Sequence, residues 1–141
     1  MNKRLILKIL GIILCIEGAF LLLPLLVALA EGENALAFAV SATACLALGV
    51  PLRCLRVERT RLQIRDGYVA VALSWLAISL FGALPYFLSH AVPTYVDALF
   101  ETASGFTTTG ASIFSAPASL PRGIQFWRAL TQWLGGLGVL V

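Results

Sequence analysis

The sequence predicts an all-α integral membrane protein, and three observations carry that expectation. Apolar residues fill 60% of the 141 positions and charged residues only 12%, with a mean hydropathy of +0.93. The apolar residues gather into four blocks, Leu5–Ala30, Ala35–Leu52, Gly67–Leu88 and Gly123–Val141, each long enough to cross or nearly cross a hydrocarbon layer. The charges lie mostly between the blocks and sort by sign. A soluble domain carries about twice this charged fraction, and a disordered chain has far less apolar content. Both classes are excluded.

The first block opens with Lys3, Arg4 and Lys8. Val27-Ala28-Leu29-Ala30 ahead of Glu31 imitates a signal-peptide cleavage site, but the apolar stretch is longer than a usual h-region and contains Glu17 and Pro24. An uncleaved span is expected. Glu17 stands near mid-span, where an acid is a functional candidate by default; a buried pair or a hydrogen-bonded neutral carboxyl serves equally well as its explanation. After the second block, Arg53, Arg56, Arg59, Arg61 and Arg65 fill the connection to the third. Glu31, Glu33, Asp97 and Glu101 fall on the opposite side, with Arg122 and Arg128. The positive-inside rule then puts the N-terminus and the Arg53–Asp66 loop in the cytoplasm, and the Glu31–Asn34 turn and the Ser89–Arg122 segment outside. Topology accounts for the net charge of +3, so no nucleic-acid partner is expected. Cys15, Cys45 and Cys54 have neither disulfide-framework nor zinc-site spacing and read as small packing residues. His90 stands alone near the outer interface.

The connection between the third and fourth blocks is the most informative segment. Pro93 suits the first turn of a helix, and Tyr95, Ala98, Leu99 and Thr102 recur at helical spacing, so Pro93–Ser104 is expected to be a short helix of about 18 Å, half a bilayer. Gly105 is expected to stop it. Residues 106–112, Phe-Thr-Thr-Thr-Gly-Ala-Ser, have poor helix propensity. A half-length helix, an extended Thr/Gly run and a further span form the layout of a re-entrant pore loop. Backbone of that kind is tolerated at membrane depth when buried in protein or lining an aqueous cavity. Closely spaced carbonyl oxygens there replace the hydration shell of a monovalent cation. By composition alone an ordinary extracellular turn fits equally well. Gly105 and Gly110 have the spacing of a phosphate-binding loop, but Ala111-Ser112 stands where Lys-Ser/Thr is required.

Asp97-Ala-Leu-Phe-Glu101-Thr-Ala-Ser-Gly-Phe-Thr107-Thr-Thr-Gly110-Ala-Ser closely resembles the first pore-loop signature of the TrkH/TrkG/KtrB family of potassium-uptake proteins. Leu120-Pro-Arg122-Gly-Ile-Gln-Phe-Trp127-Arg128-Ala-Leu-Thr-Gln-Trp133-Leu-Gly135-Gly136-Leu-Gly138 resembles the opening of the membrane helix that follows it. Two leading helices, over residues 1–66, resemble the TrkH branch. The resemblance implies a fourfold pseudosymmetric pore built of membrane-helix/pore-loop/membrane-helix units, with residues 67–141 as the first unit. In it Gly67–Leu88 is the outer helix, Pro93–Ser104 the pore helix and Gly123–Val141 the start of the second helix. Thr107, Thr108, Thr109, Gly110 and Ala111 form the filter strand, with Thr108, Thr109 and Gly110 the potassium ligands. It further implies a bacterial inner-membrane location, potassium as the transported ion without an organic cofactor, a cytoplasmic nucleotide-binding partner of the TrkA type, and an association of pore chains. Family members are several times longer, so the chain reads as an N-terminal fragment or truncated product. One strand cannot encircle an ion, and conduction requires the remaining units or a homo-oligomer. The alternative is a non-conducting, membrane-anchored interaction protein.

Asp97 and Glu101, four apart, share a helix face near the outer mouth, where they either raise the local cation concentration or pair with Arg122 or Arg128; the structural pairing is the expectation. Gln125, Arg128, Gln132 and Gly135/Gly136 form one stripe of the fourth block, which therefore faces protein. An unpaired Arg128 toward lipid costs several kcal/mol, so a partner such as Glu101 is expected. Gly135, Gly136 and Gly138 are read as close-packing positions. No loop contains a nucleophile–base or paired-carboxylate arrangement, and no enzymatic activity is expected.

Overall fold

A computed structural model describes residues 3–57 and 64–140. Arg59 and Arg61 of the basic connection lie outside the described residues. Among those described, every regular element is helical. The first block forms α1 (Lys3–Phe20) and α2 (Leu22–Ala30), the second α3 (Leu36–Arg53), and the third α4 (Ile64–Gly82) and α5 (Leu84–Leu88). The connection holds α6 (Tyr95–Phe106) and a single 3₁₀ turn (Pro117–Ser119), and α7 (Arg122–Leu140) closes the described chain.

Two of the three apolar spans are broken by proline. Pro24 has no N–H for the Phe20 carbonyl and its ring crowds that carbonyl, so the helix interrupts at Leu21. Pro85 does the same to Phe81, and the helix interrupts at Ala83. Taken across these breaks, Lys3–Ala30 and Ile64–Leu88, like Leu36–Arg53, are each long and apolar enough to cross a membrane. Their outer faces suit lipid. Leu26 and Leu76 are each 60% exposed, an arrangement that water would oppose over so many large side chains. α7 matches them in length with 19 residues, about 28 Å. Gln125, Arg128, Thr131 and Gln132 make it less apolar than the fourth block's length alone suggests, and it is not among the three.

The core lies where α7 meets the other helices. Trp127, Tyr86, Leu21 and Ile124 are fully buried there. The Trp127 indole N–H donates to the Gly82 carbonyl at 3.0 Å, beside the break between α4 and α5. The Tyr95 hydroxyl donates to the Leu80 carbonyl and ties the start of α6 to α4.

The turn between the first two spans holds the far end of the molecule. Glu33 accepts the Arg122 N–H at 2.6 Å on Oε1 and the Gly123 N–H at 3.0 Å on Oε2. A carboxylate at this point satisfies two of the orphan donors at the start of α7 and complements the helix dipole. It joins residues 89 positions apart. Glu33→Gln removes the charge and one acceptor, and we expect a loss of about 1 kcal/mol. Thermal unfolding of the two proteins in detergent checks this; an unchanged midpoint counts against the clamp.

Candidate functional site

The site is built on the ends of α6. At its start, the Thr94 hydroxyl oxygen accepts the Asp97 N–H at 3.2 Å, and the hydroxyl donates to Asp97 Oδ2 at 2.7 Å. Thr94, in extended backbone, is therefore the N-cap, and Pro93 precedes the helix instead of opening it. At the other end Gly105 does not stop the helix, which continues to Phe106. The stop comes at Thr108, in the left-handed region at φ +56°. The Thr109 N–H donates to the Ser104 carbonyl and the Thr108 N–H to the Gly105 carbonyl, the paired bonds of a Schellman cap. Glycine is the usual occupant of that left-handed position. A β-branched residue there stores strain of about 1–3 kcal/mol.

Gly105 has another use. A Cβ on it would lie 2.4 Å from Thr131 Oγ1, and one on Gly135 would lie 2.0 Å from the Phe106 carbonyl oxygen. Gly105 lets the α6 backbone meet the Thr131 side chain, and Gly135 lets the backbones of α6 and α7 meet directly. Of the other glycines read as packing positions, a Cβ on Gly136 would meet only Thr108 at 3.9 Å, and Gly138 has open space.

Thr107, Thr108, Thr109, Gly110 and Ala111 follow as an exposed run. The N–H groups of Thr107, Thr108, Thr109 and Gly110 all donate back into the last turn of α6. Gly110 takes φ +76°, open to glycine without strain. The Thr107 hydroxyl donates to the Ala103 carbonyl at 2.7 Å, so the contact of 2.8 Å between the two hydroxyls has Thr109 as donor. The Ala111 carbonyl accepts the Ser104 hydroxyl at 2.6 Å. Ala111 is thus partly committed to the scaffold, while the carbonyl oxygens of Thr107–Gly110 accept none of the hydrogen bonds found among the described residues.

Behind the run stands a partly buried ion pair. Arg128 Nε lies 2.7 Å from Glu101 Oε1, with side chains 19% and 3% exposed. Glu101 also accepts the Ser112 hydroxyl, bifurcated at 3.0 and 3.1 Å, and the Ile113 N–H at 3.2 Å. Arg128 Nη2 donates to Ser112 Oγ at 3.2 Å, and its guanidinium lies 5.5 Å from the Phe114 ring centroid. Asp97, one turn earlier on the same face, is engaged by Thr94 and takes no part. The expected pairing of that acid with an arginine is not what the structure shows. Arg122 contributes its main chain to Glu33, and Gln125 holds the Ala118 and Leu120 carbonyls. Ser104 and Ser112 were not among the expected site residues, although each lies within the motif.

The model of a family described as "Cation transport protein" and named TrkH matches residues 35–141. The chain belongs to the TrkH family. It is 40% identical over 138 residues to an uncharacterized cation transporter of Methanocaldococcus jannaschii, covering 96% of this chain and 29% of that protein. It is 38% identical over 144 residues to the Trk system potassium uptake protein TrkH of Escherichia coli K12, covering 100% of this chain and 30% of that one. The crystal structure of the potassium transporter TrkH from Vibrio parahaemolyticus superposes with a TM-score of 0.92 at 33% identity, over 99% of this chain and 31% of that one. This member of the TrkH family therefore spans about 30% of the length of the relatives it matches.

Two predictions test the site. Glu101→Gln leaves Arg128 without its counter-charge, and we expect a loss of about 2 kcal/mol after allowance for the arginine's partial exposure. The exchanged pair Glu101→Arg with Arg128→Glu should recover part of that loss; a midpoint equal to or below both single variants argues against a direct pair. Thr108→Gly relieves the left-handed strain and should raise stability by about 1 kcal/mol. A denaturation midpoint that falls would show that Thr108 is unstrained.

Proposed function

We propose that this chain supplies two leading membrane helices and the first pore unit of a potassium-uptake protein. Thr107–Ala111 forms one wall of the ion path. The observation that carries this reading is the polarity of the run. The N–H groups of Thr107–Gly110 are bonded into the last turn of α6, and the carbonyls of these exposed residues accept none of the hydrogen bonds found among the described residues. A potassium ion shedding water needs oxygen dipoles at close spacing and no N–H donors among them. Thr108, Thr109 and Gly110 supply the ligands, Ser104 fixes the Ala111 end, and Glu101 with Arg128 fixes Ser112. The chemistry is passive coordination, with no covalent step.

The relatives' names support potassium as the cargo. Residues 64–88 act as the outer helix, Tyr95–Phe106 as the pore helix and Arg122–Leu140 as the start of the second helix. Three further units, or further copies of this chain, complete the ring around the ion. The protein resides in the bacterial inner membrane with its N-terminus in the cytoplasm. Glu33 bound to the start of α7 is consistent with that topology, since the first turn and the Ser89–Arg122 segment then share the outer side. A cytoplasmic nucleotide-binding subunit of the TrkA type regulates the assembled protein.

A chimaera tests the proposal. These 141 residues replace the matching segment of E. coli TrkH in a strain unable to take up potassium. Growth at low potassium should be restored, and Gly110→Asp should abolish it while the protein still reaches the membrane. A membrane-inserted chimaera that takes up no rubidium would favour the non-conducting reading.

A further inference from the structure

Away from the Thr107–Ala111 run, α1 carries an acid into the interior. Glu17 is 4% exposed; both of its carboxylate oxygens are sealed from solvent, and neither has a hydrogen-bond partner among the described residues. Oε1 lies at the break between α4 and α5. A Cβ added to Gly82 would stand 2.9 Å from it, 2.9 Å from Thr102 Cγ2 and 3.0 Å from Phe106 Cε2. Glycine at 82 thus leaves the room that the carboxyl fills, and the acid joins α1 to the α4 break and to the buried face of α6. Water, lipid or a further stretch of polypeptide reaches these oxygens only by displacing those neighbours. The titratable side chains that feel its charge are Cys45 on α3 and Tyr95 at the start of α6, both neutral at neutral pH. On α1 itself, Cys15 faces Gly49 of α3. On α4, Arg65, Asp66 and Tyr68 stand in the first two turns, at the opposite end from Gly82. On α6, Asp97 is engaged by Thr94 and Glu101 by Arg128.

We propose that Glu17 is a proton-binding residue, a neutral carboxylic acid at neutral pH that sits at the junction of α1, α4 and α6. A carboxylate taken out of water is costly unless a cation or several donors meet it, and here none does. A proton is the one cation small enough to reach the oxygens without moving what surrounds them. The neutral acid also brings an O–H donor to a place that lacks donors. The Gly82 carbonyl is taken by the Trp127 indole, while Pro85 has no N–H for the neighbouring Phe81 carbonyl. Loss of the proton leaves a bare charge against Thr102 and Phe106, so the three helices pack this way only with the proton bound. The assignment does not depend on the proposed ion path.

The test is infrared spectroscopy of the whole chain in nanodiscs at neutral pH, with and without glutamate labelled with heavy carbon at its side-chain carboxyl. The native protein should show the C=O stretch of a protonated carboxyl that moves with the label, and Glu17→Gln should lack it. Gly82→Ala is a second arm, because its methyl group competes for the place of Oε1. The band should then shift or vanish with Glu17 intact. Unfolding in weakly buffered detergent gives an independent reading. The native chain should release about one proton more than the Gln variant, since a carboxyl freed into water ionises at neutral pH. A native spectrum without the label-sensitive band overturns the proposal. So does a band retained in Glu17→Gln, one unmoved by Gly82→Ala, or equal proton release from the two proteins.

Discussion

The Glu101–Arg128 pair is the contact on which the geometry of the candidate ion path depends. It joins the short helix α6 to α7 at a point where both charges are largely removed from water, and it reaches the outgoing chain through Ser112 and Ile113. A buried charge pair of this kind is weak as net stabilisation but severe in its penalty when one partner is lost. That asymmetry suits a positioning role. The two side chains tolerate few alternative placements, so the segment they grip has few as well. The Ser104–Ala111 bond fixes the same segment one residue earlier. Between these anchors and the cap of α6, the threonine–glycine run has a defined back and an open front.

The rest of the fold brings α6 and α7 to that distance. Gly105 and Gly135 remove the side chains that would separate them, and Trp127 closes the opposite side by bonding to the Gly82 carbonyl. Prolines set the breaks in the flanking spans, and Glu33 fixes where α7 begins. Each device answers the same problem. In an apolar medium helices gain little from hydrophobic attraction to one another, so close packing and hydrogen bonds between helices must specify the arrangement.

The spans were legible in the sequence because a hydrocarbon layer imposes a length and a composition on any helix that crosses it. The Glu101–Arg128 pair was legible for a related reason: an arginine inside an apolar block needs a partner, and few acids are available. Asp97 differs because helical spacing reports a shared face and says nothing of a competing local bond, and Thr94 is only three residues away. Gly105 misled because glycine ends helices and also permits close approach, and the two uses share one letter. The left-handed Thr108 has no sequence signature, since threonine disfavours that conformation and only its surroundings impose it. Glu33 capping α7 is invisible for another reason: 89 residues separate the partners, and the bond is to main chain, which every sequence possesses.

Strain at Thr108 and exposure of the run that contains it are two aspects of one constraint. A helix that ends where water does not reach its last carbonyls must satisfy them within the protein. The Schellman cap satisfies them with the N–H groups of the following residues. Those donors are thereby withdrawn from the exposed face, and the carbonyls that follow are left without internal partners. Such carbonyls are untenable against lipid. They are tenable against water or a cation, so the same bonds that finish the helix give the next few residues the polarity of a cation path. Glycine at the left-handed position would make this cap without strain. Threonine makes it with a hydroxyl-bearing side chain within the run, at the cost of that strain.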